Sequence, residues 1–61
     1  MNYTSIEQIP LVLSVEQLAD VLGVSRNTAY GFVKSGRIKS VRVGYKIRIS
    51  KAALSEFLNM Q

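Results

Sequence analysis

Basic side chains occupy one continuous stretch of this 61-residue chain. All eight Lys and Arg residues lie between Arg26 and Lys51, and the four acidic residues lie outside that stretch. The formal net charge is +4, and the sequence pI is about 9.9. Because unpaired like charges repel one another, a folded domain tolerates such a stretch best when a polyanion neutralises it. The charge distribution therefore predicts a nucleic-acid-binding surface, in preference to a role in solubility alone.

Several kinds of chemistry are excluded by composition. The sequence has no cysteine and no histidine, which removes disulfides and the usual zinc ligand sets. It also has no phosphate-binding glycine loop and no paired carboxylates in one region. Tyr45, on a basic hairpin, is of the type that a tyrosine recombinase uses as nucleophile, but 61 residues cannot build the remainder of such a site. We therefore predict that the protein is not an enzyme and needs neither a metal nor a cofactor.

Two short helical patterns separated by a glycine form the centre of the sequence. In the first, apolar residues recur at i, i+3, i+4 and i+7, at Val15, Leu18, Ala19 and Leu22. Ser14 and Gln17 have the spacing of a capping box at its start, and Gly23 supplies the stop. A small residue four places before the turn glycine, with an apolar residue after it, is typical of a DNA-binding helix-turn-helix. An ordinary pair of helices in a small core is the alternative.

The second helix of the pair is predicted over Arg26–Lys34, with Ser25 as its N-cap. Its outward side chains are of types that contact bases and phosphates: Arg26, Asn27, Thr28, Tyr30 and Lys34. Arginine suits guanine, asparagine suits adenine, and the methyl group of threonine can touch that of thymine. The acidic outer face of the first helix is unsuited to phosphate, so the first helix is expected to support the second.

A β-hairpin with alternating apolar and basic residues is predicted over residues 41–49. If both valines of its first strand face inward, Val43 pairs with Ile47 and Val41 pairs with Ile49. This register needs a three-residue loop at Gly44 to Lys46 and places Arg42 opposite Arg48. A two-residue Gly-Tyr turn would mix the apolar and basic faces, and it is rejected here. Like charges directly opposite are destabilising, so a face with both arginines favours an anionic partner. Basic residues that guard a sheet edge are the alternative.

The remaining segments complete a single small domain. Residues 1–10 have no clear period and are predicted to be a flexible tail, with order near Ile9. Residues 11–13 form an apolar run that is long enough only for a short strand. Ser50 is the expected N-cap of a last helix from Lys51 to about Asn59, whose apolar face is Ala53, Leu54, Phe57 and Leu58. Residues 11–59 are thus predicted to be the DNA-binding domain.

The segment LSVEQLADVLGVSRNTAYGFVKSGRIKSVRVGYKIRISKAALSEFL resembles the excisionase-type, MerR-like winged helix-turn-helix family. The resemblance is strongest at VSRNTAY, at the Gly36 exit from the second helix, at VRVG and at SKAALSEFL. It implies an α+β fold: a short N-terminal strand, a helix-turn-helix, a two-stranded wing and a C-terminal helix. By position it assigns Arg26, Asn27, Thr28, Tyr30 and Lys34 to the major groove, and Arg42, Tyr45, Lys46 and Arg48 to the wing contact. Gly31, Ser40 and Ser50 depart from the family's usual residues.

The function implied by this resemblance is sequence-specific DNA binding by a protein of a mobile element. An excisionase binds and bends DNA so that an integrase is directed toward excision. A small transcriptional regulator with the same binding mode is the alternative, and a protein-interaction module that uses the basic face belongs to another class. The expected partners are double-stranded DNA and an integrase, and no membrane is expected. We expect a monomer that binds adjacent sites cooperatively and a cytoplasmic, nucleoid-associated location.

Overall fold

The structure, a computed structural model, describes residues 6–59. A 3-10 turn at Ile6–Gln8 precedes three strands and three helices. In chain order the elements are β1 (Val12–Leu13), α1 (Val15–Leu22), α2 (Arg26–Lys34), β2 (Val41–Val43), β3 (Lys46–Ser50) and α3 (Lys51–Asn59). The three strands form an antiparallel sheet in the order β1-β3-β2. This arrangement confirms the predicted α+β winged helix-turn-helix.

The helix-turn-helix forms where its local signals predict it. Ser14 and Gln17 make a reciprocal capping box, with N–H to side-chain oxygen distances of 2.9 and 3.1 Å. Gly23 takes up the left-handed conformation, with φ of 70°, which lets the chain leave α1 and turn into α2. Ser25 then caps α2 by accepting a hydrogen bond from the N–H of Thr28 at 3.1 Å. Short-range polar contacts therefore fix both ends of the turn that positions α2.

One hydrophobic core holds the helices against the sheet. Its buried members come from β1, β3, the three helices and the connecting segments: Ile9, Leu13, Val15, Leu18, Ala19, Ala29, Ile38, Ile49, Leu54 and Phe57. Ala19 and Ala29 are small and buried, one in each helix of the pair, which allows α1 and α2 to approach closely. Ile38, in the link after α2, is almost fully buried and anchors this link to the core. The helix α2 is thus supported from beneath by packed side chains.

The register of the wing differs from the predicted one. Val43 pairs with Lys46, Arg42 with Ile47, and Val41 with Arg48. The prediction that Val43 pairs with Ile47 around a three-residue loop is therefore wrong, as is the pairing of Arg42 with Arg48. The two valines are not inward-facing but remain 63% and 62% exposed.

Turn chemistry explains this register. Gly44 has φ of 67°, and no other residue type within residues 6–59 has a positive φ, so Tyr45 has a negative one. These signs match a type II′ turn, which places glycine first and matches the twist of a two-residue hairpin. The short strand β2 buries no side chain. Placing its valines on the outer face therefore loses little buried apolar area. The turn preference therefore outweighs the alternation of apolar residues.

The last helix follows the wing without a linker. Ser50 ends β3, and its hydroxyl accepts a hydrogen bond from the N–H of Ala53 at 3.0 Å, which confirms the predicted cap. The ring of Phe57 lies 5.4 Å from that of Phe32 in α2, centroid to centroid. Leu54 is fully buried, whereas Leu58 is exposed, so the predicted apolar face of α3 is narrower by one residue. The helix therefore closes the core beneath α2.

The N-terminal segment is tied to the sheet within the described residues. Ile9 is buried in the core, and β1 pairs with β3 through Leu13 and Ile49. Residues 1–5 of the predicted flexible tail lie outside the described residues. The boundary of the domain at residue 11 stays a prediction.

Candidate nucleic-acid interface

The outward face of α2 carries the side chains that the sequence assigned to DNA contact. They are all exposed: Arg26, Asn27, Thr28, Tyr30 and Lys34. The opposite face is held by Ala29, which is buried, and by the half-buried Phe32 and Val33. The helix is therefore amphipathic, and its polar side chains face outward, where an external partner can contact them.

The start of α2 is organised by its cap. The Ser25 hydroxyl accepts a hydrogen bond from the N–H of Thr28 and donates one to Thr28 Oγ1 at 2.9 Å. The N–H groups of Arg26 and Asn27 belong to the first turn, where a helix provides no carbonyl partner. Together with the helix dipole, these groups suit an anionic oxygen such as that of a phosphate. Thr28 Oγ1 accepts one bond from the cap, so its hydroxyl still has its proton to donate and one lone pair to accept a further bond.

A groove separates α2 from the wing. Its lining includes basic and aromatic side chains from both elements, namely Arg26, Tyr30, Tyr45, Lys46 and Arg48, together with Glu16 of α1. Tyr45 sits at the tip of the wing and is 85% exposed. A surface with three cations and two tyrosines is suited to phosphates and to base or sugar faces.

A second groove continues along the other side of Tyr30. Its lining includes Lys34 near the end of α2 and Arg42 on the wing. Tyr30 and Ile47 line both grooves and form the ridge between them. The structure therefore brings together all the predicted contact residues except Asn27 and Thr28, which lie at the exposed start of α2.

The observed register separates the two wing arginines. Directly paired residues of antiparallel strands share a face, so Arg42 lies on the face of Ile47, and Arg48 lies on the face of Val41. Arg48 also donates from Nη1 to the carbonyl of Ile47 at 2.9 Å. The wing thus offers positive charge from both of its faces, in place of the single basic face that the sequence predicted.

Sequence reasoning missed the position of Glu16. Its carboxylate Oε2 lies 3.0 Å from Nη1 of Arg26, so an acidic side chain of α1 reaches the first residue of α2. From the sequence, Glu16 was expected to belong to the acidic outer face of α1, and no contact with α2 was predicted for it. Nothing in the spacing of the two residues signals this pair, because it depends on how α1 and α2 cross.

Two of the three basic residues outside the predicted contact set, Arg37 and Lys39, make contacts elsewhere. The guanidinium carbon of Arg37 lies 5.5 Å from the centre of the Phe32 ring, within cation–π range. Lys39 pairs with Glu56 of α3 at 3.9 Å between Nζ and Oε1. These contacts lie at the exit of α2 and on α3, so they leave the cations of α2 and the wing to define the candidate interface.

Two other kinds of feature are absent from the described part of the chain. Residues 6–59 contain no group of acidic side chains that could hold a metal ion. Across the same residues, no helix is both long and apolar enough to cross a membrane.

Comparison with known proteins relates the chain to a family. A family model described as a helix-turn-helix domain matches residues 12–61. A probable excisionase of Saccharopolyspora erythraea is 40% identical over 47 residues, which cover 77% of this chain and 48% of that protein. An excisionase of Mycobacterium phage D29 is 35% identical over 51 residues, which cover 82% of this chain and 91% of that protein. The chain thus spans about half the length of the first relative. It belongs to the helix-turn-helix family of excisionase-type proteins.

Proposed function

We propose that this protein binds double-stranded DNA sequence-specifically and acts as the excisionase of a mobile element. One observation carries the proposal: the exposed face of α2 and the wing line common grooves with basic and aromatic side chains. The names of the two relatives support the excisionase role. In this role the protein bends DNA and directs an integrase toward excision.

The mechanism divides affinity from sequence recognition. The start of α2 enters the major groove, where Arg26 and Asn27 donate to base edges and the Thr28 methyl group contacts thymine. Lys34 and the wing residues Arg42, Lys46 and Arg48 neutralise phosphates, which supplies the part of the affinity that depends on salt. The aromatic rings of Tyr30 and Tyr45 provide flat faces that lie beside the sugar-phosphate backbone of the DNA.

The proposed division of roles between α2 and the wing is tested by two alanine variants of the 61-residue chain. A randomised duplex pool is first enriched by selection on the wild-type protein. The affinities for the enriched and the unselected pools are then measured by fluorescence anisotropy across a salt series. Arg26→Ala should cost about 1–3 kcal/mol on the enriched pool and much less on the unselected pool. Lys46→Ala should weaken both pools alike and reduce the salt slope by about 0.9.

Two outcomes would contradict this assignment. Equal losses on both pools for both variants would remove the distinction between helix and wing. No binding to either pool at low salt would remove DNA recognition and favour an acidic protein partner for the basic face. Lys46 is preferred to Arg48 as the wing variant because Arg48 also bonds the backbone of β3.

The setting of this activity is part of the proposal. The protein works in the cytoplasm on nucleoid DNA, as a monomer that binds neighbouring sites cooperatively beside an integrase. A transcriptional regulator would use the same surface, so the two roles are separated by an excision assay on an attachment-site substrate with its integrase. Excision that depends on this protein supports the first role.

A further inference from the structure

An ion pair joins the two helices of the helix-turn-helix at the candidate interface. Arg26 Nη1 and Glu16 Oε2 lie 3.0 Å apart, and their side chains are 61% and 68% exposed. Pairs as exposed as this contribute little to stability, because water and salt screen them. The pair therefore needs an explanation other than holding α1 to α2, a task that the buried core already performs.

Glu16 is an acidic side chain among basic ones. Among the described residues that line the groove between α2 and the wing, it is the only acid, beside Arg26, Lys46 and Arg48. A carboxylate in a surface that receives phosphates repels them, and so opposes binding to every DNA sequence. This repulsion lowers the affinity for all duplexes, whereas any favourable effect of Glu16 must come from its contact with Arg26.

The geometry of the guanidinium group indicates what that benefit is. Arginine presents five N–H donors in a rigid plane, and Glu16 engages the Nη1 end of this plane in Arg26. The carboxylate restricts the orientation of the plane and offsets its charge. Donors not used by Glu16 remain for a paired contact with guanine O6 and N7. A phosphate, in contrast, must compete with a carboxylate that already holds the group.

We infer that Glu16 is a specificity-determining residue, which orients Arg26 for a base contact and penalises DNA that offers Arg26 only phosphate. The inference rests on the proposed placement of α2 in the major groove. Glu16 acts through Arg26 and is thus a positioning residue. On a preferred site, the contact between Arg26 and the base compensates for the repulsion between Glu16 and phosphate. On other sequences this repulsion is not compensated.

A matched control lies one turn along the same helix. Asp20 carries the same charge on α1 and is exposed, but it does not line the groove with Arg26. Glu16→Gln and Asp20→Asn each remove one negative charge and keep the shape of the side chain. Both sites are solvent-exposed, so both variants should melt within about 4 °C of the wild-type protein in circular dichroism.

The experiment uses the enriched and unselected duplex pools at one fixed salt concentration. For Glu16→Gln, we expect the affinity for the unselected pool to rise about threefold to tenfold, since one repulsive charge is lost near phosphate. Its affinity for the enriched pool should stay within about twofold of wild type, because the gain is offset by a less ordered Arg26. The ratio of the two affinities therefore falls. For Asp20→Asn, both affinities should change by the same factor, so the ratio stays constant.

The inference is overturned if Glu16→Gln raises both affinities equally, since Glu16 would then act only as a general repulsive charge. Arg26→Ala separates this failure from failure of the proposed function. If Arg26→Ala collapses the affinity ratio and Glu16→Gln leaves it intact, only the inference is wrong. If Arg26→Ala also leaves the ratio intact, the assignment of Arg26 to a base contact is wrong as well. With alanine already at position 26, adding Glu16→Gln should no longer change the ratio.

Discussion

Replacing Gly31 by alanine should stabilise the protein. Gly31 lies inside α2, on its exposed side, and a methyl group built at this position meets no atom within 4 Å. Its φ is not positive, so an L residue adopts the same backbone conformation without strain. Alanine is therefore expected to fit the native helix and to restrict only the unfolded chain.

The size of the effect follows from helix propensity. Glycine in a helix interior is about 1 kcal/mol less favourable than alanine. For a domain of this size, 1 kcal/mol shifts the melting temperature by about 4–8 °C. Since no packing contact is gained or lost at Gly31, we expect almost the whole of this increase in the free energy of unfolding.

Gly44→Ala is the matched control, because the chemical change is the same and the backbone differs. A methyl group at Gly44 also meets no atom within 4 Å, but its φ of 67° is unfavourable for any residue with a Cβ. We expect a loss of about 1 kcal/mol and a fall of about 4–8 °C in the melting temperature. Both variants are measured by thermal unfolding in circular dichroism, with urea unfolding as a check.

A lower melting temperature for Gly31→Ala would refute this reasoning, because no steric or backbone term in the structure can account for it. Binding to the enriched duplex pool adds independent information. If DNA lies against the α2 backbone at Gly31, alanine weakens binding while raising stability. If affinity is unchanged, the glycine is tolerated there and has no role in the contact.

Two further predictions concern the core and the first helix. Leu54 is fully buried, so Leu54→Ala should cost about 2–5 kcal/mol and leave much of the protein unfolded at 25 °C by circular dichroism. A native melting curve for this variant would contradict the packing of α3. Ser14→Ala removes one half of the capping box and should lower the free energy of unfolding by about 1 kcal/mol, measured in urea. Glycine at the same position should recover most of that loss, since an N-cap tolerates it well.

The sequence predicted well those features that depend on neighbouring residues. The boundaries of α1 and α2 follow from Ser14, Gly23 and Ser25, each of which bonds or turns the chain within a few positions of itself. The exposed face of α2 likewise follows from the helical period. Local rules were sufficient here because the tertiary fold agrees with them.

The wing register was predicted wrongly because two local rules conflict there. Alternation favoured a buried face for Val41 and Val43, whereas Gly44 favoured a two-residue turn. The outcome depends on how much apolar area the hairpin can bury, and that is a property of the whole fold. The short β2 projects beyond the core, so the gain from burial was too small to impose the alternating pattern.

The Glu16–Arg26 pair could not be predicted for another reason. It depends on the crossing of α1 over α2, a geometry that no spacing in the sequence encodes. The assignment of nine side chains to DNA contact came from chemistry and resemblance, and the structure describes where those side chains lie. Whether they contact DNA is decided by binding to the enriched and unselected duplex pools.

The position of β3 in the sheet has a consequence for misassembly. β3 lies between two short partners, and β1, which covers one of its sides, is only two residues long. The bond from the Lys51 N–H to the Leu11 carbonyl, at 2.8 Å, adds one further tie there. If the segment before α1 separates from the sheet, the backbone of β3 becomes an open edge. This edge can pair with the segment before α1 of another molecule. Strand exchange between chains is therefore the failure to expect when this protein is concentrated or truncated ahead of α1.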